Sequence, residues 1–239
     1  MAAASSAAQM PFIKNLASSD RRLRSQSLAA LETFLSARTS LADHEALRLW
    51  TGLFYALWMT DRPRPQLALA AQLAALPARL RADCVPPFLG AFWPVLSRQW
   101  AGVDALRVDK FLALARRVLG AHVRFAREQG WRGDGVARVA GVLAGSLDEG
   151  VAPGLRLHVL DVWVDEMERE GALLADGGGR AFAEAFAEAV RRAAEGSAVR
   201  SVRARARESL ADGRLPWGKK EEEEDGGDED EDEWSGIED

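Results

Sequence analysis

Apolar residues at steps of three and four, broken at short intervals by Pro, Gly or a capping Asp, run from about residue 20 to residue 211. No segment alternates apolar and polar residues between hairpin turns. Such a chain can bury its apolar faces only by packing helix on helix. Ser18, Ser19 and Asp20 form a cap-like start before Leu23, Leu28, Leu31 and Leu35, and that helix is expected to end near Thr39. Asp43 is placed to cap a second helix, whose broad face of Leu47, Trp50, Leu53, Phe54, Leu57 and Trp58 stops at Pro63 and Pro65. Leu67, Leu69, Leu73 and Leu76 mark a third, ended or kinked at Pro77, and Pro86 and Pro87 open a fourth through Phe88, Phe92, Val95 and Leu96.

The longest pattern covers residues 105–129, with Asp104 as its cap, and sets Val108, Phe111, Leu112, Ala115, Val118, Leu119 and His122 on one face before Gly130 ends it. His122 on that face reads as a core histidine. Shorter helices are predicted over 136–147, 155–170, 180–195 and 198–211. About nine helices with short connections predict an all-α fold, an irregular α-solenoid of antiparallel helix pairs of the HEAT or armadillo kind, with pairs too divergent to show a sequence repeat. The organisation that follows is a flexible N-terminus over 1–10, a helical repeat-like domain over 11–212 and a disordered acidic tail over 213–239. Trp50, Trp58, Trp93, Trp100 and Trp163 lie on or beside apolar faces, which assigns them to the core.

Charge divides the chain. Residues 219–239 hold 13 acidic and 2 basic residues, which leaves 29 basic against 23 acidic in the rest, a surplus of six positive charges beneath a net charge of -5. Of the 31 basic residues 27 are Arg, whose planar guanidinium suits phosphate, although a coding bias that also favours Ala and Gly accounts for Arg equally well. No charge-free stretch exceeds 14 residues, the length of residues 84–97 with their three prolines, short of the roughly 20 apolar residues of a membrane helix, so no membrane partner is expected. The N-terminus has neither a basic leader nor an apolar core of signal-peptide length, and Cys84 alone precludes an intramolecular disulfide; a reducing compartment is expected.

Three His and one Cys are a thin inventory for metal or nucleophilic chemistry. His158, Asp161, Asp165 and Glu168 share one helix face and could in principle hold a divalent metal, but Leu157, Leu160, Val164 and Met167 form the complementary buried stripe, which makes the acidic set a solvated face. The glycine run from Asp176 to Arg180 lacks the preceding strand and the Lys-Ser/Thr of a phosphate-binding loop and reads as an interhelical connection. No catalytic residue, metal, cofactor or small-molecule substrate is expected.

The basic faces carry the candidate interactions. Arg107, Lys110, Arg117 and Arg124 fall opposite the apolar stripe of the long helix, broadened by Arg116 and Arg127, and could follow an RNA backbone over about 25 Å. Salt bridges to neighbouring helices are the competing reading of that face. Arg200, Arg203, Arg205 and Arg207 form a second cluster, readable as an RNA contact, a nuclear import signal or a seat for the acidic tail; Arg21, Arg22 and Arg24 form a weaker third. In the acidic run after Trp217, Trp234 and Ile237 are the only large apolar residues and are candidates for a short protein-docking motif.

Three ordered blocks add a resemblance. They are LWTGLFYALWMTDRPRPQ over 49–66, FWPVLSRQWAGVDALRVDKFLALARRVL over 92–119 and GLRLHVLDVWVDEM over 154–167, preceded by Phe12-Ile13-Lys14 with Leu16 and Ala17. Over roughly residues 11–170 the chain resembles the nucleolar ribosomal RNA processing protein 1 family. The resemblance implies a nuclear, nucleolar, non-catalytic scaffold that assists ribosomal RNA processing and assembly of large-subunit (pre-60S) precursors, with large-subunit precursor rRNA and other assembly factors as partners. The alternative from another class is a helical adaptor that binds only proteins, for which basic stripes should be paired with acids on neighbouring helices.

Overall fold

The computed structural model describes residues 15–217 apart from 17, 19 and 175–177, and of Arg21 only the backbone. Trp234 and Ile237, the acidic tail beyond 217 and the first 14 residues lie outside the described residues.

Nine α-helices and no strand occur among the described residues: α1 (Arg21–Ser36), α2 (Asp43–Trp58), α3 (Pro63–Ala75), α4 (Val85–Trp100), α5 (Val108–Glu128), α6 (Asp134–Ala144), α7 (Pro153–Arg169), α8 (Gly179–Gly196) and α9 (Arg200–Leu210). Asp20 caps α1 by accepting from the Arg22 N–H at 2.7 Å. Helix α1 stops at Ser36, short of Thr39. At the start of α2 the capping position belongs to Ala42, whose N–H donates to Glu45 at 3.2 Å, and Asp43 is the first helical residue. Pro63 and Pro65 open α3, where a missing N–H costs nothing, and Pro77 sits in the 3-10 turn that follows it. Helix α5 begins three residues later than predicted, because the Asp104 carbonyl first closes a turn with the Arg107 N–H at 3.0 Å. Gly130 at φ 64 and Gly171 at φ 77 end α5 and α7 in the left-handed turn that glycine adopts freely.

From α2 onward each helix packs on the one two places along the chain. Helices α2, α4, α6 and α8 make one layer and α3, α5, α7 and α9 the other. Partners within a layer run parallel. Trp50 meets Phe88 while Tyr55 meets Gln99, and Leu112, Arg116 and Arg124 meet His158, Asp165 and Glu170 in the same order. Parallel neighbours two apart require consecutive helices to run back and forth, which is the α-solenoid.

The core lies between the layers and continues through the stack. Trp50 packs on Phe88 at 5.0 Å and Phe92 at 4.9 Å, and its indole N–H donates to the Phe88 carbonyl at 2.7 Å. Phe54 stacks on Phe111 at 4.6 Å, and Trp163 meets Phe186 at 5.4 Å. Trp50, Trp93 and Trp163 are buried and Trp58 and Trp100 partly buried against the core. His122 is fully buried, its Nδ1 paired with the Val118 carbonyl at 2.7 Å, and burial depresses its pKa to about 4.

Candidate nucleic-acid interface

The outer face of α5 does not look into open solvent, because α7 and α3 flank it in the same layer. Lys110 departs furthest from the expected stripe. It is 4% exposed, and its ammonium donates to the Trp58 carbonyl at 2.8 Å and the Thr60 carbonyl at 3.0 Å, tying α5 to the end of α2. Helix carbonyls left over at a C-terminus need such a donor, and a cation there is also favoured by the helix dipole. Burial pushes the Lys110 amine below its usual pKa. It cannot reach phosphate. Arg107 pairs with Asp104 and lies over the Trp58 ring at 4.9 Å.

Arg116, Arg124 and Arg127 meet carboxylates on α7 and at its C-terminal end. Arg116 donates to Asp165 at 3.1 Å and to Glu166 at 2.8 Å; Arg124 and Arg127 both reach Glu170, at 2.6 and 2.8 Å. Arg169 joins Glu166 and Glu170, and Arg214, beyond α9, binds Asp165 at 3.1 Å, Glu168 at 2.8 Å and Asp212 at 2.7 Å. Five guanidiniums, of Arg116, Arg124, Arg127, Arg169 and Arg214, thus face five carboxylates, of Asp165, Glu166, Glu168, Glu170 and Asp212. The seam is electrically balanced. Two of its acids lie beneath its bases, since the Glu166 side chain is 0% exposed and that of Glu170 5%, while the Arg116 side chain is 42% exposed. Gly120 makes room for this pairing, because a Cβ there would stand 2.4 Å from the Arg169 guanidinium and 2.5 Å from the Glu166 carboxylate. Arg117 is half-buried and donates to the Ala113 carbonyl at 3.0 Å.

In the second cluster, Arg203 donates to the Ser197 carbonyl at 2.6 Å and Arg205 pairs with Asp161 at 3.1 Å and Glu208 at 3.2 Å. Arg200 and Arg207 are exposed and form no ion pair among the described residues.

The acidic face of α7 is spent in the same seams. Asp161, Asp165 and Glu168 hold Arg205, Arg116 and Arg214, and the His158 Nε2–H donates to the Leu112 carbonyl at 2.9 Å. These side chains stitch α5, α7 and α9 together rather than forming the free solvated face expected of them. Burial first of all lowers the His158 pKa. Among the described residues no group of three or more His, Cys, Asp or Glu is arranged to hold a metal. In the glycine run, Asp176 and Gly177 lie outside the described residues. Gly179 serves close packing, since a Cβ would meet the Ala172 backbone at 2.6 Å.

Glu166, Glu170, Arg156 and Arg214 were not anticipated from the sequence. Arg156, 1% exposed, holds Glu149 at 2.6 Å and the Ser197 hydroxyl at 3.1 Å, joining the turn before α7 to the end of α8. A signal did exist: Arg156, Val159, Trp163, Glu166 and Glu170 follow one another at steps of three and four, placing charged groups in an apolar stripe.

No described helix is long and apolar enough to cross a membrane. The family model described as nucleolar protein Nop52 matches residues 7–238, well past residue 170, where the legible resemblance stopped. Ribosomal RNA processing protein 1 homolog B of Homo sapiens is 32% identical over 187 residues, 74% of this chain and 25% of that protein. The Mus musculus homolog B is 33% identical over 189 residues, covering 74% and 26%. The Homo sapiens homolog A is 30% identical over 173 residues, covering 69% and 38%. The chain therefore spans about a quarter of the length of the B homologs it matches. The ordered blocks, the stacked helices and a match over nearly the whole chain together establish that the chain belongs to the nucleolar Nop52 family.

Proposed function

We propose that the chain is a non-catalytic scaffold in ribosome biogenesis, assisting ribosomal RNA processing and large-subunit assembly by binding precursor RNA and other assembly factors. The observation that carries this reading is the family match over 7–238, together with relatives named as ribosomal RNA processing proteins. The fold supplies a physical means. A two-layer stack cross-linked by ion pairs between neighbouring helices of one layer is stiff, and a stiff surface holds its partners with little ordering cost on binding. The commitment of His158, Asp161, Asp165 and Glu168 to neighbouring helices supports a role without chemistry of its own. Of the anticipated RNA contacts, Arg200 and Arg207 offer free guanidiniums, and Arg107, Arg116, Arg117, Arg124, Arg127, Arg203 and Arg205 offer only donors left over from their protein partners. Trp234 and Ile237 remain a proposed docking motif for a protein partner.

A second reading, an adaptor that binds only proteins, is favoured by one observation: the Arg116, Arg124 and Arg127 stripe is paired with acids of α7. Crosslinking the chain to RNA in cells and mapping both the RNA position and the crosslinked peptide separates the two. Crosslinks to large-subunit precursor RNA are the expected result; their absence, with assembly factors still bound, turns the account to the adaptor.

A further inference from the structure

In the layer of α3, α5, α7 and α9, bases on one helix meet acids on a neighbour: Arg116 of α5 meets Asp165 and Glu166 of α7, and Arg205 of α9 meets Asp161 of α7. Helix α9 is the last described helix of that layer, so its far side has no such neighbour. At about 3.6 residues per turn, Arg207 lies about 160° and Arg200 about 140° round α9 from Arg205, turned away from α7. Both are exposed and form no ion pair among the described residues. Arg203, which falls between them, donates to the Ser197 and Ala198 carbonyls, groups without net charge. Glu208, the one acid of α9, is held by Arg205 at 3.2 Å. The balance found at the α5 and α7 seam is missing on this edge.

The chain leaves the stack on the same edge. Ala189 and Ala193 of α8 face Ala144 and Leu147 at the end of α6 across a small cavity, and Arg191 lies about 160° round the helix from both. Trp217, the last described residue, packs over that Arg191 guanidinium at 5.4 Å, and Leu215 is buried. Arg191 is itself neutralised, by Glu184 at 2.8 Å and Glu188 at 3.0 Å. Glu221 follows Trp217 by four residues, and 11 of the 13 residues over 221–233 are acidic with no base among them. Four extended residues span about 13 Å, more than the roughly 8–10 Å between packed helix axes, so the acidic run starts within reach of α9. Arg200 and Arg207 stand about 10 Å apart along the helix, a distance that three or four extended residues match.

We propose that the acidic run over 221–233 docks along the outer edge of α9, setting carboxylates on Arg200 and Arg207 as a further helix of the layer would, so that RNA reaching α9 must displace it. The docking is independent of the RNA-scaffold reading; the displacement rests on it. So short a tether holds the run at roughly millimolar effective concentration, which lets exposed ion pairs that are weak singly act together. A nitroxide attached through Gly226→Cys in the full chain tests the docking, since Cys84 is buried away from the label. At low salt the amide signals of residues 200–207 should lose at least half their intensity relative to the reduced label, and regain it in about 1 M salt, where charges are screened within roughly 3 Å. The double variant Arg200→Glu, Arg207→Glu, changed at exposed positions, should regain the signals at low salt with its core amide shifts unmoved. Full intensity in the parent at low salt, or broadening that survives the charge reversal, overturns the docking whatever RNA does. Titration with labelled oligouridine reads the displacement: replacing the 11 acids of the run by Asn and Gln should tighten binding at least fivefold, an effect absent when Arg200→Glu and Arg207→Glu are added. If the nitroxide reports docking while neutralising the run leaves oligouridine binding unchanged, the displacement is overturned and RNA does not use α9, while the docking stands.

Discussion

Replacing His122 by Leu should remove a pH dependence that the parent carries alone. The imidazole is fully buried on α5 beside Trp93, with ring centroids 6.1 Å apart, and its Nδ1–H donates to the Val118 carbonyl while Nε2 has no partner among the described residues. Burial holds its pKa at about 4 in the folded chain. The unfolded chain has an ordinary histidine near 6.5. Between those values the unfolded state binds more protons than the folded one, so stability rises with pH across the window and is lost as pH falls through 6.5 toward 4. Integrated to pH 4, the loss from this one group is about 3 kcal/mol. Leucine removes the titration and the unpaired Nε2 together, and leaves the Val118 carbonyl with the backbone donor of the helix. The variant should therefore match or exceed the parent at pH 7 and exceed it by about 3 kcal/mol more at pH 4. Urea unfolding of both proteins from pH 4 to 8, followed by tryptophan fluorescence, gives the difference curve, from which other titrating groups cancel. Parallel curves would show that His122 titrates normally and is not buried, and would refute the packing of α5 on α4.

Gly120→Ala should cost roughly 1–3 kcal/mol, because its Cβ would displace the Arg169 and Glu166 pairing; the urea midpoint reads this. The double change Arg116→Ala, Arg169→Ala leaves the Glu166 carboxylate buried without a cation and should cost about 3–5 kcal/mol, most of it recovered when Glu166→Leu is added, as thermal melts of the three proteins will show. Lys110→Met strands the Trp58 carbonyl and should lower stability by about 1.5–3 kcal/mol in the same assay, without changing RNA affinity.

The helices were legible because their apolar residues recur with the helical period, and the caps, prolines and glycines that bound them act locally. Residues such as Phe111, Val118 and Trp163 therefore fell into the core as expected. Salt bridges to neighbouring helices were one of the two readings of the α5 basic face, but the residues that form them were not legible, for a reason particular to solenoids. A helix inside the stack touches the opposite layer and two neighbours in its own, so residues opposite its apolar stripe still meet protein. Arg116, Arg124 and Arg127 look exposed on a helical wheel, and only the parallel placement of α7 brings Glu166 and Glu170 beneath them. Lys110 was misplaced for a related reason, since the carbonyls of Trp58 and Thr60 that recruit it are 50 or more residues away in sequence. The acidic stripe of α7 pointed outward in isolation and proved to be the partner that the basic stripe required. Family blocks were readable where Trp, Pro and Gly give them character; the Ala and Arg-rich helices α8 and α9 gave no such mark, although the family model extends across them.

The central claim is that the chain acts as a scaffold in ribosomal RNA processing. Conditional depletion of the protein, with precursor and mature ribosomal RNAs measured by hybridisation along a sedimentation gradient, tests it most directly. The account predicts accumulation of unprocessed large-subunit precursor RNA, a fall in large subunits, and cosedimentation of the protein with those precursors before depletion. Normal processing after depletion, with the protein sedimenting free of large-subunit precursors, would contradict it.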